Sequence, residues 1–166
     1  SLLVWIVNPA LFGGALDVVH GVLHGELEIL YGALSPSVSL ALAVVVALVV
    51  RLVATCLTIG SGMSAGLLGP AALIGLLAGV FASAVIGVEP GSAGYYALLA
   101  AGFAGMLAGV MNVPIAASVM TVEVFGLAFG LPAGLAAVVG FQMNRHRTIY
   151  DTALVGSGHL EEHALR

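Results

Sequence analysis

One glycine-rich segment, Gly60-Ser61-Gly62-Met63-Ser64-Ala65-Gly66-Leu67-Leu68-Gly69-Pro70, holds the groups best suited to binding or reaction. It lies inside a stretch from Leu52 to Val88 that holds no charged residue. Pro70 suits the first turn of a new helix, where its missing N–H is no loss. A helix that starts there leaves about four backbone N–H groups without an intrahelical partner and presents the positive end of its dipole. The N–H groups of Leu67, Leu68 and Gly69, freed by the bend at Gly66, would then hold a halide-like anion without any full positive charge. Neutral donors also bind weakly enough for an ion to leave again. Taken on its residues alone, the segment reads more readily as a plain helix-breaking turn whose N–H groups are met by water or neighbouring carbonyls.

Other groups point to other chemistries. Gly62-Met63-Ser64-Ala65-Gly66 satisfies the G-x-S-x-G pattern, which would make Ser64 the nucleophile of an intramembrane serine hydrolase. A nucleophile needs a base within reach, and His20, His24, His146, His159 and His163 all lie near the polar ends, so no enzyme is expected. His20 and His24 stand one helical turn apart with Glu26 and Glu28 close by, which can be drawn as a metal site. Polar side chains solvating a helix end account for them without a metal, and no metal is expected. Glu123 is isolated in an apolar helix, where an ionisable group is a functional candidate by default. A structural role, accepting N–H bonds from a neighbouring loop, fits it better. Tyr150 by itself reads as an interfacial anchor near Arg145 and Arg147. Cys56, the one cysteine, cannot form an intrachain disulfide and reads as a small hydrophobe.

The composition around these residues is that of a membrane protein. Of 166 residues, 61% are hydrophobic and 7% are charged, against roughly a quarter charged in a soluble domain. The 23 glycines suit helices packed closely through small residues. Net charge is −4, lysine is absent and there are four arginines, so no basic stripe exists to hold nucleic acid. The chain opens Ser1-Leu2-Leu3-Val4-Trp5 with no basic segment ahead of the apolar run, unlike a signal peptide, and looks cut from something longer.

The punctuation divides the chain as follows. Residues 1–7 read as the tail of a preceding helix, and 8–37 as an interfacial short helix and loop, because Asp17, His20, His24, Glu26 and Glu28 make it too polar to span. Ser35-Pro36 reads as a helix start for a span over 38–59. A third helix is expected over 67–86, a fourth over 92–111, and a short one from Pro114 to Val124. Gly126 to Gly130 loosens the chain, Leu131-Pro132 opens another helix ending at 144–147, and a last short helix follows from Thr148 to about Leu154. Helices too short to cross upright belong to transporters and channels whose backbone ends face a buried ion path.

The segment from Gly60 to Gly75 resembles the second-half selectivity segment, GSGxSGGxFxPxLxIG, of the CLC chloride channels and chloride/proton antiporters. Arg51-Leu52-Val53-Ala54-Thr55 ahead of it, Asn112-Val113-Pro114-Ile115 through Val122-Glu123, and Arg147-Thr148-Ile149-Tyr150 follow the family pattern in order. The resemblance implies an all-α polytopic membrane protein with broken, half-depth helices, forming one half of an inverted-repeat fold. It implies transport of chloride or a similar monovalent anion, as a channel or a proton-coupled antiporter, with chloride as ligand and no cofactor. Gly66, Leu67, Leu68, Gly69 and Tyr150 would form the anion site, the amides of Leu67 and Leu68 and the Tyr150 hydroxyl touching the ion. Pro70, Pro114 and Glu123 would be structural.

Departures accompany the match. Leu68 stands where the family has phenylalanine, which keeps the backbone contact and changes the packing beside the ion, and Met63 and Ala65 replace smaller residues or glycine. The GSGIP-like serine segment and the GxEGP-like gating glutamate of the family's first half are absent, so a missing first half is an expected partner. Residues 38–158 would be the second-half membrane domain and 159–166 a polar tail. The clustered arginines put the C-terminus in the cytoplasm, in a bacterial inner membrane. A homodimer is implied, with Ile115 to Phe125 and Leu131 to Phe141 as its face; a non-transporting scaffold is the competing membrane reading.

Overall fold

The computed structural model describes residues 16–24, 26–30, 39–60, 66 and 68–144. Among them the elements are α1 (Leu16–His24), a 3-10 turn (Leu27–Leu30), α2 (Leu40–Gly60), α3 (Leu68–Ile86), α4 (Ala93–Met111), α5 (Pro114–Phe125), a second 3-10 turn (Leu127–Phe129) and α6 (Gly130–Asn144). Four stretches are long and apolar enough to cross a membrane: Leu40–Thr58, Leu68–Ile86, Ala93–Met111 and Leu127–Asn144. This is an all-α polytopic membrane protein. Helix α5, at 12 residues and so about 18 Å, falls short of a crossing.

Helices α3 and α4 form an antiparallel pair because the chain between them can do little but reverse. Gly87, at φ +79°, ends α3, and the N–H groups of Gly87 and Val88 both donate to the Ser83 carbonyl at 2.9 Å. Pro90 and Gly91 (φ +82°) then occupy the middle of a turn closed by Ser92 N–H on the Glu89 carbonyl at 3.2 Å, as a type II turn requires. The Ser92 hydroxyl accepts from Tyr95 N–H at 3.2 Å and caps α4.

Helix α4 packs against α3, α5 and α6 and forms the middle of the bundle. Glycine makes these contacts backbone-close. A Cβ on Gly79 would stand 2.7 Å from the Leu98 carbonyl oxygen, and one on Gly102 would strike the Gly75 carbonyl oxygen. Toward α6 the same device recurs: a Cβ on Gly109 would lie 3.2 Å from the Gly140 carbonyl oxygen, and one on Gly140 would strike that of Gly105. In lipid no hydrophobic force separates helix from tail, so such close packing is what holds the bundle.

Hydroxyls inside the helices are satisfied locally. Thr55, Thr58, Ser83, Ser118 and Thr121 each donate to a carbonyl three or four residues back, at 2.7–2.8 Å. Asn112, in the left-handed region at φ 59°, ends α4, and Pro114 opens α5. Where looseness was expected between Gly126 and Gly130, the structure has Gly126 (φ +98°) as the single break. The 3-10 turn from Leu127 then feeds directly into α6, which lengthens that stretch to 18 residues.

Candidate functional site

The candidate site is the N-terminal tip of α3. The helix begins at Leu68, so Gly69 and Pro70 fall in its first turn. Of the N–H groups that lack an intrahelical acceptor there, proline removes one, and among the described residues those of Leu68 and Gly69 remain. Gly66 and Gly69 are exposed, and a Cβ built on either would meet nothing within 4 Å. Leu68 is 43% exposed. Leu67 and Tyr150 lie outside the described residues, as does Ser64.

Behind the tip the helix is fixed. Ala71, Leu73, Gly75, Leu76 and Leu77 are buried, and Gly75 meets α4 at the backbone. The open end is thus carried on a shaft that its neighbours hold by close contact, and the geometry can present amide donors to a small anion.

The other candidates fall elsewhere. Pro114 is the first residue of α5, and Glu123 is exposed near its far end. His20 and His24 sit on α1 with their rings stacked at 4.1 Å. They lie beside the first turn of α4, because the Tyr95 and Tyr96 hydroxyls each donate at 3.0 Å to the carbonyls of Val22 and Leu23. That is the end where α3 finishes, about 28 Å along its 19 residues from the tip. Among the described residues no group of three or more His, Cys, Asp or Glu is arranged to hold a metal ion.

The two tyrosines escaped the sequence reading. Tyr95 is fully buried and Tyr96 half-buried, and a phenol buried among apolar helices needs a partner for its hydroxyl. The adjacent pair in a helix's first turn was the available signal.

A multi-pass helical membrane protein with an open, glycine-flanked helix tip is the class that this geometry defines. The chain matches the family model described as voltage gated chloride channel over residues 1–145 and belongs to that family. It is also 37% identical over 99 residues to uncharacterized protein MJ0305 of Methanocaldococcus jannaschii, which is 60% of this chain and 24% of that protein. The matched region thus spans about a quarter of the relative's length. No solved structure matches the chain.

Proposed function

We propose that the chain supplies one wall of a transmembrane pathway for chloride or a similar monovalent anion. The amides at the tip of α3, those of Leu67, Leu68 and Gly69 after Gly66, hold the ion, and the Tyr150 hydroxyl adds a directed donor. The observation that carries this reading is the tip itself: a helix that starts at Leu68 behind an exposed glycine, Gly66, in a chain of the chloride channel family. Pro70 sets the first turn, and Pro114 and Glu123 serve structure.

A first half of the same protein completes the pathway and gates it. A row of exposed apolar residues on α5 and α6 supports the homodimer face: Ile115 at 81%, Val119 at 53%, Leu131 at 74% and Leu135 at 64% exposure. The C-terminus faces the cytoplasm of a bacterial cell, following the arginines at 145, 147 and 166. The protein is a transporter or channel rather than an enzyme; the described histidines stand at the far end of α3 from the tip that Ser64 precedes in sequence.

The test removes one donor at a time from the protein in liposomes loaded with chloride. Leu68→Pro deletes one amide at a position where proline suits a helix start, whereas Leu68→Ala keeps it. Chloride efflux and chloride affinity fall in Leu68→Pro and in Tyr150→Phe and hold in Leu68→Ala. Equal effects of Leu68→Pro and Leu68→Ala would assign the site to the side chain and sink the amide reading.

A further inference from the structure

Two glycines of α4 relate the tip of α3 to the end of α6. Gly102 meets α3, since a Cβ on it would strike the Gly75 carbonyl oxygen, and Gly109 meets α6, since a Cβ there would lie 3.2 Å from the Gly140 carbonyl oxygen. From Gly102 to Gly109 is about two turns of helix, so both point the same way, about 10 Å apart along α4. Helix α3 runs against α4, with Gly79 facing Leu98 and Leu99 and Gly75 facing Gly102. Counted back from Gly75 over the same two turns, α3 reaches its first residue, Leu68, at the level of Gly109. Helix α6 runs with α4, Ala136 facing Gly105 and Gly140 facing Gly109. The open tip of α3 and the last turn of α6 therefore lie at one end of α4 and toward the same side of it.

One side-chain bond fixes α6 there. The Asn144 carboxamide donates to the Gly109 carbonyl at 2.7 Å, in the last turn of α4, where intrahelical donors run out. Asn144 is the final residue of α6, so the bond holds the point from which the following chain departs. Tyr150 comes six residues later, and six residues reach about 20 Å when extended, against about 8–10 Å between the axes of packed helices. A phenol on that segment is within range of the α3 tip. A hydroxyl gives one directed bond, which needs its heavy atoms within about 3 Å and weakens steeply when bent, so its contribution depends on where its chain begins.

We infer that Asn144 is a positioning residue of the anion site: its bond to Gly109 sets the departure point of the segment that carries Tyr150, and through it the place of the Tyr150 hydroxyl. The inference rests on the anion site proposed above and adds a residue that itself touches no ion. Asn144 acts through the tyrosine and not through the amides of α3, because the α3 shaft is held separately, by Gly75 against Gly102.

The test measures chloride affinity by titration calorimetry on the full-length protein, across single and double variants. Asn144→Ala is expected to weaken chloride binding about two- to tenfold, the range of one neutral hydrogen bond, and Asn144→Gln, which keeps the donor on a longer arm, by less. Tyr150→Phe weakens binding by itself, and Asn144→Ala added to it brings no further loss. Added to Leu68→Pro, Asn144→Ala brings the same factor as in the intact protein. The same cycle run with Asn144→Gln, the milder change, reads the coupling if the alanine variant does not fold. A loosened bundle would weaken binding by one factor in every background, Tyr150→Phe included, and that result would overturn the inference. Full affinity in Asn144→Ala beside a loss in Tyr150→Phe would overturn it too and leave the anion site standing. Full affinity in Tyr150→Phe would remove the hydroxyl from the site and the inference with it.

Discussion

Gly75 and Gly102 meet so closely that a Cβ on Gly75 would stand 2.5 Å from the Gly102 carbonyl oxygen and 2.9 Å from the Met106 Cβ. Real Cβ atoms do not approach backbone oxygen at that distance, so alanine at Gly75 forces α3 and α4 apart. Gly75→Ala and Gly102→Ala are each expected to cost about 1–3 kcal/mol, measured as a lowered unfolding midpoint in detergent. An unchanged midpoint would mean that the helices part more easily than their packing implies.

The glycines at the tip of α3 behave in the opposite way. Gly69 has open space around its missing Cβ and no positive φ, so Gly69→Ala leaves the midpoint unchanged or raises it. Gly91, at φ +82°, has equal room but a left-handed backbone. Gly91→Ala therefore costs about 1–2 kcal/mol through strain alone. Comparing the two in one denaturation series separates space from conformation.

Tyr95→Phe removes the hydroxyl that reaches the Val22 carbonyl and leaves that carbonyl buried without its donor. Hydrogen bonds between helices in membranes contribute about 0.6 kcal/mol on average and at most about 1.7. The loss at Tyr95 is expected near the upper value, and at Tyr96, which is less buried, near the lower. Hydrogen exchange at the amides of α1 reports it directly: protection falls there and holds in α3.

Asn144→Ala deletes the 2.7 Å bond from the Asn144 carboxamide to the Gly109 carbonyl. That bond crosses from the end of α6 to the last turn of α4, whose carbonyls lack intrahelical donors. A loss of about 0.6–1.7 kcal/mol is expected, and Asn144→Gln, one methylene longer, recovers only part of it. Both are read from the same unfolding midpoint.

Punctuation was legible in the sequence and partnership was not. Pro70, Pro90-Gly91 and Pro114 mark turns and helix starts through their own backbone limits, so the bounds of α3, α4 and α5 were readable within a residue or two. The glycines flanking Leu127 to Phe129 suggest freedom, yet only Gly126 takes a left-handed backbone and Gly130 N–H closes the 3-10 turn on the Leu127 carbonyl. Small residues along α3 and α4 announce close packing, but which glycine meets which is set by the crossing of the helices. The Tyr95 partner lies 73 residues away, beyond any local pattern. At the proposed anion site, the order Gly66 to Pro70 marks the start of α3, while Leu67 and Tyr150 lie outside the described residues.

The hydroxyls of Thr55, Thr58, Ser83, Ser118 and Thr121 all bond within their own helices. Those five groups therefore ask for no partner on a neighbouring helix when the chain enters the bilayer. What remains for the later step is a search by shape. Once α4 is in place, the helix on either side meets it where side chains are missing, and the Asn144 bond to Gly109 then fastens the end of α6.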